Sequence, residues 1–271
     1  MYANAGSALR YKGEAVKTPP LLLASATDLA STGLTNASGQ VGKNFMVTLS
    51  WCSTGIVSES IESFKGLPAD AICWDFNHPD AIPAVIGGCR FSSGVHEAGL
   101  NGPINYATRV VAGFGIAHKQ AMRKVLGQAI SVGAIGEFLP NNETFIDLDP
   151  SAKDKHGVAL ARIHSQLSAI DIRRLRFMAD TCRKMVRAAG ATQLVEEYGT
   201  MDFFNTTHVF GTCRMGNNPA DSVVDAYGKS HALDNLFIAD ASIFPSSGGG
   251  ESPSLTIAAL AIRTADFIAK K

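Results

Sequence analysis

A mixed α/β (α+β) fold is predicted by three stretches of this sequence. Near the C-terminal end, the short apolar run 236–239 lies between Asn235 and Asp240, then Pro245 and a Ser-Ser-Gly-Gly-Gly break, then Ser252-Pro253 and an apolar helix. A strand buried on both faces reads as such a run, and serine followed by proline is a helix start. Between residues 130 and 164, three strand-like runs alternate with turns, as in an antiparallel meander. From Ser168 to Gly190 an apolar stripe of helical spacing joins them.

In chain order, residues 1–12 read as irregular. Thr18-Pro19 opens a short helix through Leu21, Leu22 and Leu23, and Gly33 is expected just past its end. Residues 36–42 are rich in turn formers and are read as a crossing between domains. Residues 47–53 and 102–118 contain runs compatible with strands, and 78–93 between them is rich in proline and glycine. Strands are expected at 130–138, 144–148 and 158–164, with turns at Pro140-Asn141-Asn142 and at 153–157. Ser168 caps the next helix, with Asp171 three residues on as an acidic form of the capping box. Leu175, Met178, Ala179, Cys182, Met185, Val186 and Ala189 form its stripe, and Gly190 stops it. In the last helix, Ser252 is the expected cap and Pro253 the first helical residue, with Lys270 and Lys271 at the negative end. Its N-terminus carries roughly half a positive charge, suited to an anion or an electron-rich ring.

Composition excludes several classes. The chain has 271 residues, long enough for one large or two small domains. Lys+Arg and Asp+Glu are both 24, so nothing electrostatic favours nucleic acid or an anionic membrane. No apolar stretch approaches the ~20 residues of a membrane span. The first twelve residues have no apolar signal-peptide core, so a cytoplasmic location is the default expectation. The five cysteines have no CxxC spacing and are expected as reduced thiols. No histidine pair has i, i+4 spacing and no H-E-x-x-H occurs, so no metal is expected.

The stretch 207–260 carries T-H-V-F-G-T-C-R-M-G, then S-V-V-D, N-L-F-I-A-D-A-S-I-F-P and S-P-S-L-T-I-A-A-L, in that order. It resembles the C-terminal signature of the glucose–methanol–choline (GMC) family of flavin oxidoreductases. Residues 13–25 (G-E-A-V-K-T-P-P-L-L-L-A-S) and 33–46 resemble mid-chain motifs of the same family. The resemblance implies an FAD cofactor and oxidation of a CH–OH group in an alcohol, polyol, sugar or sugar acid. The C-terminal runs are more similar to bacterial sugar or sugar-acid dehydrogenases than to secreted oxidases. The electron acceptor is unknown at this stage. The resemblance makes His208 the active-site base, has Asp240 and Ala241 line the flavin, and points the last helix at the isoalloxazine through Ser252, Pro253 and Leu255. The family usually carries His or Asn where this chain has Ser252, so the second catalytic position rests on a shorter side chain.

The glycine-rich pyrophosphate loop of such a fold, G-x-G-x-x-G, is absent: Gly113-x-Gly115 is followed by His118 at the third position. The expected architecture is therefore an incomplete FAD-binding Rossmann-like domain (1–46 and 208–271) with a substrate-binding domain (47–207) built on an antiparallel sheet flanked by helices. A chain supplying the N-terminal FAD-binding half is the expected partner. The alternative is a non-catalytic fragment or subunit that pairs with a separate flavin-binding chain.

The residues themselves support part of this. An imidazole with a pKa near 6.5 suits proton removal from an alcohol, worth roughly 10²–10⁴-fold in rate. Ser252 has a plain capping role, worth about 1 kcal/mol, beside any contact with substrate. Trp51, Trp74, Phe76, Phe91 and Phe114 are candidates for a substrate pocket, although aromatic residues more often fill a core. G-E-S-P-S loosely resembles the G-x-S-x-G elbow of a Ser/His hydrolase, but its fifth residue is Ser254 and no strand runs straight into the turn.

Overall fold

The computed structural model describes residues 9–11, 15–65, 71–93, 103–202, 204 and 208–270. Its centre is β2 (Leu49–Val57), antiparallel to β5 (Ala129–Gly136) on one side and β8 (Ala191–Gly199) on the other. Beyond β5 lie β4 (Cys89–Ser93) and the short β3 (Ile72–Cys73), giving the order β3-β4-β5-β2-β8. Helix α4 (Ala169–Ala188) covers this sheet. Of the expected stripe, Leu175, Met178, Ala179, Cys182 and Val186 are buried and Met185 is half-buried, whereas Ala189 is exposed because the helix ends there and it takes the C-cap position. Phe177 adds T-shaped contacts to Phe76 and Phe91, so these last two aromatic candidates fill core. The capping box forms as read, Ser168 Oγ accepting from the Asp171 amide and Asp171 from the Ser168 amide.

Two smaller sheets flank the main one. β6 (Phe145–Lys153) and β7 (Ala159–His164) make an antiparallel ribbon. β1 (Leu9–Tyr11) lies parallel to β9 (Leu236–Ile238), whose three side chains are buried. Helix α1 (Thr18–Ala24) starts at Thr18 as expected. The last helix, α5 (Ser254–Ala269), buries only Thr264 fully, and leaves Leu255 82% and Ile262 63% exposed. Lys270 lies at its C-terminal end, while Lys271 is outside the described residues.

Several expectations change. Residues 9–11 form β1 rather than irregular chain, because β9 supplies the parallel partner; residues 1–8 and 12 lie outside the described set. β5 does not form a meander with β6 and β7: its partners are β2 and β4, from far earlier in the chain. The region expected as strand at 102–118 is helical from Pro103, as α2 (Pro103–Asn105), a π-turn over Tyr106–Val110 and α3 (Gly115–Val125). Burial of Tyr106, whose hydroxyl accepts from the Ala129 amide at 2.5 Å, outweighs the β-branched residues there. α1 ends at Ala24, so Gly33 is not its stop; a turn region intervenes. β4 and β8 lack local strand signals and exist through pairing.

One buried charge ties these layers together. Arg174 of α4 is fully buried and donates to the Gly87 carbonyl (3.3 Å), the Glu137 carbonyl (2.5 Å), the Ile86 carbonyl and Asp171 Oδ1 (3.2 Å). Burial pulls its guanidinium below the ordinary arginine value, and Asp171 opposes that. Arg174→Ala strands Asp171 and three carbonyls, and breaking such a buried pair should lower stability by about 3–5 kcal/mol, read by urea unfolding. Burial also pushes the Cys52 thiol up to about 11 and the Cys89 thiol up to about 12. The folded state thus holds them neutral, a contribution present below the unfolded thiol pKa and lost as pH rises through the folded values. With Cys182 and Cys213 also buried, Ellman's reagent at pH 8 should titrate only Cys73 in the native protein, and all five after denaturation.

Candidate functional site

The stretch 208–216 is held on both sides by backbone bonds. Phe210 and Met46 exchange amide-to-carbonyl bonds at 2.9 and 3.1 Å. The amides of Gly211, Cys213 and Met215 donate to the carbonyls of Ala241 (3.2 Å), Ser242 (2.8 Å) and Ile243 (2.8 Å). Thr212 Oγ1 donates to the Ala15 carbonyl at 2.7 Å, and Phe210 stacks on Phe244. Gly211 is required here: at φ +88°, a Cβ would fall 2.3 Å from the Asn44 carbonyl oxygen. Cys213 is fully buried, and burial raises its thiol pKa far above neutrality, which removes it as a nucleophile.

Ala241–Ile243 is a single 3-10 turn, and Asp240 caps it. Asp240 Oδ1 accepts from the Ser242 amide (2.7 Å) and Oδ2 from Thr18 Oγ1 (2.8 Å). The carboxylate thus braces the turn against α1. Asp240 and Ala241 are buried at 6% exposure each, beneath the His208 segment.

His208 itself has φ +53°, in the left-handed region. A non-glycine residue there costs of order 1–3 kcal/mol and persists only where its surroundings enforce it, most often at functional sites. His208 Nε2 lies 3.0 Å from Ser252 Oγ. Ser252 therefore does not cap α5 as the sequence suggested. Pro253 occupies the cap position with helical dihedrals, and no side chain caps the helix. A residue before proline is pushed out of the helical region, so the hydroxyl of Ser252 turns toward the histidine instead. Leu255 points its side chain outward. A cavity of ≈ 330 Å³ opens on the Ser252 side, lined by Phe210, Met215, Phe244, Glu251, Ser252 and Pro253 among others but not by His208.

Arg214 donates Nε to the Asp221 carbonyl at 2.7 Å, and Asp225 caps a turn by accepting from the amides of Tyr227 and Lys229. Trp51 packs under Arg183, while Trp74 and Phe114 are exposed. Sequence reading missed the supports of the glycine-rich turn, namely Arg90, Phe138 and Ser247. Their bonds span 161 and 109 residues, so no local pattern signals them. Among the described residues no cluster of His, Cys, Asp or Glu is arranged to hold a metal.

A GMC oxidoreductase family model matches residues 140–261, which include the His208 stretch, Asp240 and Ser252. The chain belongs to the GMC oxidoreductase family. It is 32% identical to 2-methyl-1,2-propanediol dehydrogenase of Mycolicibacterium austroafricanum, over 94% of this chain and 46% of that protein. It is 30% identical to paromamine 6'-oxidase of Streptomyces fradiae, over 94% of this chain and 44% of that one. The chain thus spans about half the length of the relatives it matches. Pyridoxine 4-oxidase from Mesorbium loti shares the fold, with a TM-score of 0.64 at 18% identity over 97% of this chain and 52% of its own.

Gly211→Ala places a methyl group against the Asn44 carbonyl in a left-handed conformation. It should lower stability by about 1–3 kcal/mol, measured by thermal unfolding.

Proposed function

We propose that this chain serves FAD-dependent oxidation of a CH–OH group, with His208 as base, once a chain supplying the N-terminal FAD-binding half completes it. The observation that carries the reading is the strained His208, hydrogen-bonded to Ser252 beside the uncapped start of α5. The residues present fit a flavin. An uncapped 16-residue helix offers free amides and a partial positive charge, and the adjoining cavity has apolar and aromatic walls.

In this reading 1–46 and 208–271 belong to the FAD-binding domain and 47–207 to the substrate domain. Ser252, Pro253 and the Leu255 amide would hold the flavin, together with the turn that Asp240 and Ala241 build. FAD, when bound, supplies the acceptor for the hydride leaving the carbinol carbon. His208 Nε2 takes the hydroxyl proton on the lone pair that the Ser252 hydroxyl engages in the free site, so the substrate oxygen displaces that hydrogen bond and Ser252 Oγ turns to donate to the substrate oxygen. Relatives named for 2-methyl-1,2-propanediol and for paromamine support small alcohols, polyols or sugars as the substrate class.

Need for a complementary half is supported by α5, whose apolar side chains Leu255 and Ile262 are largely exposed. A Ser/His hydrolase is disfavoured by Pro253: the amide that follows the nucleophile in an elbow oxyanion hole does not exist here.

The test is turnover of CH–OH donors by the completed enzyme. His208→Ala should cost roughly 10²–10⁴-fold in kcat. His208→Gly should lose the same activity without loss of thermal stability, because glycine tolerates φ +53°. Full activity in either variant would refute the assignment.

A further inference from the structure

Ser252 ends a segment that has little reason to stay in place. Residues 248–250 are three consecutive glycines, with Gly248 and Gly249 at φ +59° and +71°. Glycine leaves the backbone more freedom than any other residue. Yet Ser252 Oγ is 3.0 Å from His208 Nε2, across 44 residues of sequence. A single neutral hydrogen bond contributes only about 1 kcal/mol and cannot by itself order such a loop.

Two anchors bracket the glycines. At the start, the buried Ser247 hydroxyl accepts from the Phe138 amide (2.9 Å) and donates to the Phe138 carbonyl (3.0 Å). At the end, Glu251 Oε1 accepts a charge-assisted bond from Arg90 Nε. Arg90 is fixed on β4 and also donates Nη1 to Ser92 Oγ at 3.3 Å. Between the anchors Gly249 rests on Asn77, where a Cβ would meet Asn77 Oδ1 at 2.4 Å. The Arg90 and Glu251 side chains are 15% and 33% exposed, so solvent screens their attraction only in part. Glu251 directly precedes Ser252. Whatever fixes its carboxylate fixes the next residue as well.

We propose that Arg90 and Glu251 are the positioning pair of the site: their ion pair ties the end of the glycine-rich turn to β4 and so holds Ser252 against His208. The inference rests on the His208–Ser252 reading above. It differs from a direct role for Glu251, which lines the same cavity and is near enough to meet a ligand there. A positioning pair works with its charges exchanged; a carboxylate that acts on ligand does not.

The experiment is modification of the purified protein, with any chain that co-purifies, by diethyl pyrocarbonate across a pH series. Peptide mass spectrometry reads His208, with His164 and His231 as internal controls. Ser252→Ala should shift the pH midpoint of His208 modification. Arg90→Gln and Glu251→Gln should each reproduce that shift, and the exchanged pair Arg90→Glu/Glu251→Arg should return it to the wild-type value, with both controls unchanged. A wild-type His208 profile in Arg90→Gln and Glu251→Gln, beside a shifted one in Ser252→Ala, would overturn the positioning role alone. An unshifted profile in Ser252→Ala would overturn the His208–Ser252 pairing and this inference with it. If the single variants raise modification at every histidine, signalling a loosened fold, the exchanged pair decides. A wild-type His208 profile supports the proposal, and one matching Ser252→Ala overturns it.

Discussion

Two segments 44 residues apart must meet within one hydrogen bond, and the rest of the chain is arranged around that demand. His208 is delivered by a stretch clamped between the Met46 backbone and the Ala241–Ile243 turn. Ser252 is delivered by a glycine-rich turn clamped to Phe138 and Arg90. The Ser252 clamp leads back to the main sheet, through β4 and the segment after β5, and Arg174 fastens the adjoining residues Gly87 and Glu137 to α4. The strain at His208 persists because the stretch that follows it, from Phe210 to Met215, is held by backbone bonds to Met46 and to the Ala241–Ile243 turn.

The distribution of apolar surface follows a second constraint. The sheet–α4 core is continuous and well buried, whereas α5, though largely apolar, buries only Thr264 and leaves Leu255 and Ile262 exposed. β1 and β9 form only a two-stranded parallel pair, and two parallel strands rarely stand alone in a finished fold. Both features suit a chain that spans about half the length of its relatives and, in the function proposed, packs against a complementary half.

Much of the site was legible in the sequence, because it depends on short-range motifs. The order of His208, the G-T-C-R-M-G run, Asp240 and Ser252-Pro253 named the family before any coordinate. The α4 capping box and stripe also followed from spacing alone. What failed was non-local. β4 and β8 have no strand pattern of their own, β5 found its partners in β2 and β4, far earlier in the chain, rather than in the strand that follows it, and Tyr106 drew a β-branched run into helix by burying its ring. Ser252 was misread for a local reason: the Ser-Pro pair looks like a cap, but the proline itself takes the cap position and frees the serine hydroxyl for His208.

The most direct measurement is the visible absorbance of this chain after incubation with FAD and desalting, alone and together with the N-terminal half of a GMC relative. Flavin bands retained only by the mixture, and lost when α5 carries Leu255→Asp and Ile262→Asp, are the predicted result. A chain that stays colourless in the presence of every such half, while remaining folded, would contradict the account.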